Sequence, residues 1–320
     1  MEFLGIIEGI KSGNKRALAR AITIVENNEE NYLELVSKIY LSSGKAHIIG
    51  ITGSPGTGKS TLVDRVASKL HMDGKSIAII AIDPSSPFSN GAILGDRIRM
   101  SNSQKNPDIF VRSIASRGQV GGLSKSVGNI TTLMDVFGYD CILIETVGSG
   151  QSEIEIMNLA HTTIVVTAPG LGDEIQAQKS GIMEIANLFV VNKADLPSAE
   201  MTANQIQQML HTESVIKRKK VPVLLTSALE DKGIEDLIEK LEVRWDEINK
   251  TGERERIENA HATYKLTESL KEKFLSYIEN EILNGAEWND IFKQVMDRKI
   301  NPEYAANHLF TRFLKKEADV

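Results

Sequence analysis

The chain has 320 residues, of which 41% are hydrophobic and 25% are charged, so it is long and apolar enough to bury a large core. Its net charge of −6 argues against nucleic acid as the main partner, and its one cysteine, Cys141, excludes a disulfide framework and favours a reducing compartment. No stretch approaches the length of a membrane span and no signal peptide is evident, so we expect a cytoplasmic protein without a membrane role.

Residues 1–45 are predicted to form helices. Apolar residues between Leu18 and Val25 recur at helical spacing after Asn14, a residue type that caps helix N-termini. The same spacing returns between Tyr32 and Ile39. We therefore expect an N-terminal helical extension that packs on the next part of the chain.

Between residues 46 and 243 the pattern changes to alternating apolar strands and helices, which is typical of an α/β fold with a mainly parallel sheet. Binding sites in such sheets lie at the carboxyl ends of the strands, so functional residues are expected directly after them. The predicted strands cover residues 47–52, 76–82, 109–113, 140–145, 162–168, 187–191 and 221–226.

The segment after the first strand matches the phosphate-binding loop of P-loop NTPases, G-x-x-x-x-G-K-[ST]. It runs from Gly53 to Ser60, between a predicted strand and a predicted helix. Its glycines let successive main-chain N–H groups face phosphate oxygens, Lys59 supplies a charge for the β- and γ-phosphates, and the Ser60 hydroxyl suits Mg²⁺. The residues expected to bind the nucleotide here are Ser54, Pro55, Gly56, Thr57, Gly58, Lys59, Ser60 and Thr61.

Three carboxylates are candidates to hold Mg²⁺ beside this loop. Asp83 follows the second strand, Asp96 lies in the polar loop after it, and Glu145 ends the fourth strand. Mg²⁺ prefers oxygen ligands in octahedral geometry, so we predict Ser60, Asp83, Asp96 and Glu145 as metal ligands. Both aspartates also suit turns, which is the alternative interpretation for them. We predict that Lys59, Asp83 and Glu145 are catalytic.

The residues Asn192-Lys193-Ala194-Asp195 match the N-K-x-D sequence at the end of the sixth strand. The carboxylate of Asp195 can accept two hydrogen bonds from guanine N1–H and N2–H₂, a donor pair that adenine lacks. Asn192 can bond the base edge, and the stem of Lys193 can cover the ring. These residues predict binding of GTP and GDP rather than ATP. Main-chain N–H groups that can meet guanine O6 belong to Ser227, Ala228 and Leu229.

The chain after residue 233 is predicted to be helical to its end. The segment 244–280 is long and charged, and it carries a sparse apolar seam that includes Trp245, Leu270 and Phe274. A seam of this kind is typical of a helix that finds a partner helix, and a homodimer is the simplest arrangement. The alternative is that residues 244–320 cap their own subunit.

Taken together, these motifs resemble the methylmalonyl-CoA mutase-associated GTPases, the MeaB/ArgK group. The resemblance covers most of the chain, and the Asp-Pro-Ser-Ser and Glu-Thr-Val-Gly-x-Gly-Gln-Ser-Glu pair is far more specific than general GTPase motifs. The segments that carry it are Gly53–Ser60, Asp83–Pro87, Gly95–Arg97, Ser116–Gly118, Glu145–Glu153, Gly172–Glu174 and Asn192–Asp195.

The resemblance implies a P-loop GTPase domain over residues 46–243, flanked by the N-terminal extension and by a C-terminal dimerisation arm over residues 244–320. It implies that the protein is a chaperone that gates cofactor loading and protection of an adenosylcobalamin-dependent acyl-CoA mutase. It also implies that residues 170–179 respond to that partner, and on this basis Lys179 is predicted to be catalytic.

Two other functions share some of these motifs. A GTPase metallochaperone for nickel enzymes has the same phosphate loop and specificity sequence, but metal delivery favours Cys/His clusters, and the six histidines form no close cluster along the sequence. A small-molecule kinase would need an acceptor pocket, and Asp195 fits guanine better than the adenine of ATP. Turnover with GTP and with ATP, with and without a candidate mutase, distinguishes the alternatives.

Overall fold

A parallel sheet forms the centre of the computed structural model, which describes residues 3–83, 103, 106–115, 122–146, 148, 152–170, 181–212, 221–283 and 286–318. The sheet has seven strands in the order β3-β2-β4-β1-β5-β6-β7, and all neighbours pair in parallel. This confirms the predicted α/β class, and every predicted strand exists to within two residues at either end. The strands are β1 (His47–Thr52), β2 (Ile77–Asp83), β3 (Phe110–Ala115), β4 (Cys141–Glu145), β5 (Thr162–Thr167), β6 (Leu188–Val191) and β7 (Val223–Leu225).

Helices precede, connect and follow these strands. As predicted, Asn14 caps a helix, because its side-chain oxygen accepts hydrogen bonds from the N–H groups of Arg16 and Ala17. A 3₁₀ turn, Ile156–Asn158, follows α6, and a π-helical turn, Glu279–Leu283, follows α10. The helices are α1 (Phe3–Lys11), α2 (Lys15–Glu26), α3 (Tyr32–Tyr40), α4 (Lys59–Met72), α5 (Gly122–Phe137), α6 (Ser152–Glu155), α7 (Ile182–Ile185), α8 (Ala199–Thr212), α9 (Ile234–Lys250), α10 (Glu253–Ile278), α11 (Ala286–Met296) and α12 (Pro302–Ala318).

The two faces of the sheet carry separate hydrophobic cores. Successive residues of β2 face opposite sides, so Ile79 packs with α4 and α9, whereas Ile80 packs with α1, α2, α3, α5 and α8. All seven residues of β2 are buried, which explains why this strand reads as a continuous apolar run. The N-terminal helices α1–α3 therefore share a core with the sheet, as the sequence predicts.

The turn before β1 is held by Asp135 of α5. Its carboxylate accepts hydrogen bonds from the main-chain N–H groups of Lys45 and Ala46, at 3.0 and 2.8 Å, and from that of Gly44. Arg254, at the start of α10, donates to the carbonyl of the same Gly44. This turn thus fixes where the N-terminal helices meet β1.

An aromatic cluster lies at the amino ends of β1 and β5. The ring of His47 stacks on Trp245 of α9 with a centroid distance of 4.4 Å, and the guanidinium of Arg254 lies 4.9 Å from the Trp245 ring. His161 lies 6.4 Å from His47 and 6.0 Å from His261, measured between ring centroids. These three histidines are far apart along the sequence, and they come near one another because the fold joins distant positions.

Contacts between residues divide the chain into two compact units, Met1–His261 and Ala262–Val320. The second unit has a small core of its own, formed by Ile291, Ala305 and Leu309. Trp288 and Val295 of α11 pack against this core. None of the helices described above is long and apolar enough to cross a membrane.

Candidate functional site

The loop between β1 and α4 lies at the carboxyl edge of the sheet and has a tightly packed backbone. Gly58 directly precedes α4 with φ of +88°, and a Cβ at this position would lie 2.5 Å from Nδ2 of Asn192. Any other residue at position 58 would therefore displace Asn192 as well as strain the backbone. The first N–H groups of α4 remain outside the helical hydrogen-bond ladder, which is the arrangement that binds phosphate.

Lys59 folds back over this loop. Its ammonium donates hydrogen bonds to the carbonyl oxygens of Gly53, at 2.6 Å, and of Ser54, at 3.0 Å. The side chain is buried, so the structure concentrates one positive charge inside the loop. Gly148 approaches the same charge, because a Cβ on Gly148 would lie 2.7 Å from Nζ of Lys59. The segment after β4 thus touches the phosphate-binding loop directly.

Ser60 and Glu145, two of the predicted metal ligands, are in contact beside the loop, and Asp83 ends the strand next to that of Glu145. The hydroxyl of Ser60 donates a 2.7 Å hydrogen bond to Oε1 of Glu145. Asp83 ends β2, which pairs with β4, and the register partner of Glu145 is Ala81, two residues before Asp83. Asp83 and Glu145 are 1% and 4% exposed. Two buried carboxylates and a hydroxyl form the kind of oxygen donor set that Mg²⁺ prefers.

Asn192 joins three segments that are remote in sequence. Its Nδ2 donates to the carbonyl oxygen of Thr57 at 2.9 Å, and its Oδ1 accepts from the hydroxyl of Thr226 at 3.2 Å and from the N–H of Ala228 at 3.1 Å. Asn192 is 2% exposed. Both ends of its amide are therefore engaged within the protein, and the residue locks the N-K-x-D segment to the phosphate loop and to the loop after β7.

Asp195 is exposed and oriented by a neighbour. The hydroxyl of Ser227 donates a 2.7 Å hydrogen bond to Oδ1 of Asp195, and the main-chain N–H of Ala194 donates to the carbonyl of Thr226 at 2.9 Å. The Ser227 hydrogen bond, followed by smaller contributions that include Lys232 and Lys193, holds the pKa of Asp195 below its usual value. The carboxylate is thus ionised and aimed before a ligand arrives.

The remaining predicted base-site residues lie in the same region. Lys193 has a positive φ of 59°, which the hydrogen bonds on either side of it maintain. Leu229 is well exposed beyond Ala228 in the loop after β7. Two predicted residues, Asp96 and Lys179, lie outside the residues that the structure describes. Arg65 of α4, which no sequence motif marks, also lies here, and its Nε donates to the carbonyl of Ala228 at 3.1 Å.

Buried Cys141 offers no reactive thiol at this site. It lies on β4, four residues before Glu145. Burial is the largest of several effects that raise its pKa to about 12, so the thiol stays protonated at neutral pH. Within the described ranges, no three His, Cys, Asp or Glu residues are grouped so that they could hold a metal ion.

Comparison with known proteins agrees with this geometry. The model of a family described as "Methylmalonyl Co-A mutase-associated GTPase MeaB" matches residues 18–282. A putative GTPase of Pyrococcus abyssi is 39% identical over 97% of this chain and 96% of its own length. The GTPase ArgK of Escherichia coli is 31% identical over 85% of both proteins.

More distant relatives extend these similarities. The mitochondrial methylmalonic aciduria type A homolog of Caenorhabditis elegans is 28% identical over 96% of this chain and 82% of its own length. A crystal structure described as LAO/AO transport system kinase superposes with a TM-score of 0.76 at 24% identity, covering 98% of this chain and 97% of that one, and so shares its fold. Since the family model spans most of the chain and the phosphate loop and the N-K-x-D segment meet at one edge of the sheet, the chain belongs to the methylmalonyl Co-A mutase-associated GTPases, a family of P-loop GTPases.

Proposed function

We propose that this GTPase is a chaperone that uses GTP binding and hydrolysis to gate cofactor loading and protection of an adenosylcobalamin-dependent acyl-CoA mutase. The observation that carries the nucleotide part is the position of Asn192, which ties the phosphate loop to the two segments expected to read guanine. Because the phosphate site and the base site are held at a fixed separation, they are suited to a single nucleotide that occupies both, and less suited to two separate substrates.

Guanine selectivity is assigned to Asp195. Its carboxylate is exposed, ionised and oriented by Ser227, so it can accept hydrogen bonds from N1–H and N2–H₂ of guanine without reorganisation. The Lys193 stem lies next to it and can cover one face of the base. Adenine presents an acceptor at N1 and would leave the Asp195 carboxylate without a donor there.

Hydrolysis is assigned to the residues around Lys59. Water attacks the γ-phosphorus, the bond to the β–γ bridging oxygen breaks, and GDP leaves with the electron pair. The Lys59 ammonium can move from the carbonyls of its own loop to the phosphate oxygens and stabilise the charge that develops there. Ser60, Glu145 and Asp83 would hold Mg²⁺, which supplies further charge stabilisation when it is bound. We retain Asp96 as a further ligand and Lys179 as a partner-dependent catalytic residue.

The descriptions of the family and of one relative support the proposed mutase partner. The family description mentions methylmalonyl Co-A mutase, and the Caenorhabditis elegans relative is named for methylmalonic aciduria. We propose that the partner is a mutase of the methylmalonyl-CoA type and that the two proteins meet in the cytoplasm.

The C-terminal arm, residues 244–320, is proposed to form a homodimer. Leu266, Leu270 and Phe274 recur every four residues on α10, and each is at least 47% exposed. Monomeric proteins rarely expose an apolar stripe of this kind on a helix. The same helix of a second copy could cover the stripe, because two identical stripes can pack against each other. The arm would then follow a GTPase domain over residues 46–243.

A turnover assay tests the proposal. Phosphate release from GTP and from ATP is measured with Mg²⁺, with and without a methylmalonyl-CoA mutase from the same host. We expect turnover with GTP only, and faster turnover when the mutase is present. Equal turnover of both nucleotides would overturn the guanine assignment, and a mutase that neither binds nor changes turnover would overturn the chaperone assignment.

A further inference from the structure

Arg65 connects the helix of the phosphate loop to the loop expected to read the base. It lies on α4, six residues after Lys59, and its Nε donates a 3.1 Å hydrogen bond to the carbonyl oxygen of Ala228. The sequence separation of 163 residues shows that this is a tertiary contact rather than a local one. Arg65 is half-buried, so water competes only partly for the carbonyl.

The peptide groups of Ala228 are held from two sides. Its N–H donates to Oδ1 of Asn192, and its carbonyl accepts from Arg65. Ala228 itself is buried. Hydrogen bonds at both the N–H and the carbonyl leave the residue little freedom to rotate, so the N–H groups that follow it are directed by this pair of contacts.

Helix α4 links the two sites, because it carries residues of the phosphate loop at its start and Arg65 further along. Its first residues are Lys59 and Ser60, and Arg65 lies about 7.5 Å further along the axis at the usual rise per residue. An α-helix that packs against the sheet over several turns is stiff. The phosphate end and the base end of the nucleotide site are therefore joined by a rigid element that ends in a single side-chain hydrogen bond.

We propose that Arg65 is a positioning residue for guanine recognition: by bonding the Ala228 carbonyl it fixes the loop after β7 so that the main-chain N–H of Leu229, in the same peptide group, can meet guanine O6. The inference rests on the proposed binding of guanine nucleotides. Arg65 touches neither the phosphates nor the base and acts through Ala228. Its removal should therefore weaken the reading of O6 and leave the phosphate contacts unchanged.

A pair of substitutions separates the hydrogen bond from the charge and bulk of Arg65. Arg65→Met keeps an unbranched side chain that reaches the ε position and removes the donor there. Arg65→Gln removes the charge but places an amide N–H donor at the same distance along the chain as Nε. Lys69→Met is the matched control, because Lys69 lies one turn further on α4 and forms an exposed ion pair with Glu235 of α9.

Two nucleotides serve as probes: GDP, and 2-aminopurine riboside 5′-diphosphate, which has the 2-amino group but lacks both O6 and the N1–H. We expect Arg65→Met to weaken GDP binding about three- to tenfold, the usual net value of one hydrogen bond, and to leave binding of the analogue unchanged. Arg65→Gln and Lys69→Met should bind both probes like the unmodified protein. Should Arg65→Met not fold, Arg65→Lys, which keeps the charge but lacks the donor at Nε, gives the same comparison.

Either of two results would overturn the inference. Equal losses for GDP and the analogue would show that Arg65 acts on the phosphate end or on the whole fold, and unchanged binding of GDP would show that the Ala228 contact does not matter. Failure of the proposed function is seen separately, because the unmodified protein would then bind ADP as tightly as GDP.

Discussion

The hydroxyl of Ser60 donates a 2.7 Å hydrogen bond to Oε1 of Glu145, although 85 residues separate them in the chain. Ser60 is the second residue of helix α4, which follows the phosphate loop, and Glu145 ends a neighbouring strand. Their contact brings a hydroxyl and a buried carboxylate to one point of the sheet edge. The same two residues are the proposed core of the Mg²⁺ site.

Glu145→Gln tests this metal assignment. The substitution keeps an oxygen that can accept from Ser60 but removes the negative charge, so the fold should persist while Mg²⁺ is held less tightly. We expect the Mg²⁺ concentration that half-saturates GTP hydrolysis to rise about tenfold, which corresponds to about 1.4 kcal/mol. Affinity for GDP in the presence of EDTA is the control and should not change. A Mg²⁺ dependence identical to that of the unmodified protein would remove Glu145 from the site.

Substitutions of Asn192 and of Asp195 are expected to have different effects on stability and on nucleotide affinity. Asn192→Ala leaves buried partners in the phosphate loop and in the loop after β7 without their hydrogen bonds, which should lower the free energy of unfolding by about 1–3 kcal/mol and weaken the binding of GTP and ATP alike. Thermal unfolding and nucleotide titration measure the two effects.

Asp195→Asn changes an exposed side chain, so the melting temperature should stay the same. Its affinity for GTP should fall roughly 10- to 100-fold, because a hydrogen bond to a charged group is lost. Affinity for ATP should not fall. A loss of stability in Asp195→Asn, or a selective loss of GTP in Asn192→Ala, would reverse the two roles.

The homodimer prediction depends on the exposed stripe of α10. Leu270→Glu combined with Phe274→Glu places like charges where two copies of the helix would meet, so we expect light scattering to report a monomer instead of a dimer. Leu41→Glu is the matched control, because Leu41 is 90% exposed but lies outside the arm, and it should leave the dimer intact. Basal GTP turnover should be the same in all three proteins. A monomeric unmodified protein at micromolar concentration would refute the prediction.

His47 should make stability depend on pH below neutrality. Burial, with smaller contributions from Arg244 and Arg254, lowers the pKa of His47 from 6.5 to about 3. Between these two values the unfolded chain binds a proton that the folded protein does not, so the free energy of unfolding falls as pH decreases, by about 1.4 kcal/mol per pH unit at most. Above pH 6.5 the residue is neutral in both states and contributes no slope.

His47→Gln should flatten this dependence. Glutamine does not titrate, and its amide can take the place of the 2.8 Å hydrogen bond between Nε2 of His47 and the hydroxyl of Thr162. Urea unfolding of both proteins from pH 4 to 8 measures the free energy of unfolding at each pH. The contributions of the other titrating groups cancel when the values for the two proteins are subtracted. Parallel curves over this range would show that His47 is not buried in its neutral form.

The sequence by itself determined the sheet and the phosphate-binding loop, and it predicted which residues bind the metal and the base. Apolar strands such as β2 are recognised because burial on both faces demands a continuous run of apolar residues. Gly53–Ser60 and Asn192–Asp195 are recognised because their spacing is set by local backbone geometry next to a strand end. These are signals carried by neighbouring residues, and they survive without knowledge of the fold.

Only the tertiary structure decided how these segments hold one another. Asn192 proves to be a buried brace to the phosphate loop across 135 residues, and Arg65 reaches Ala228 across 163. Trp245 meets His47 and His161 for the same reason, since the order of strands places the amino ends of β1 and β5 side by side. Hydrogen bonds and ring contacts of this kind depend on distances that the order of the strands sets. The periodicity of the sequence therefore does not predict these contacts.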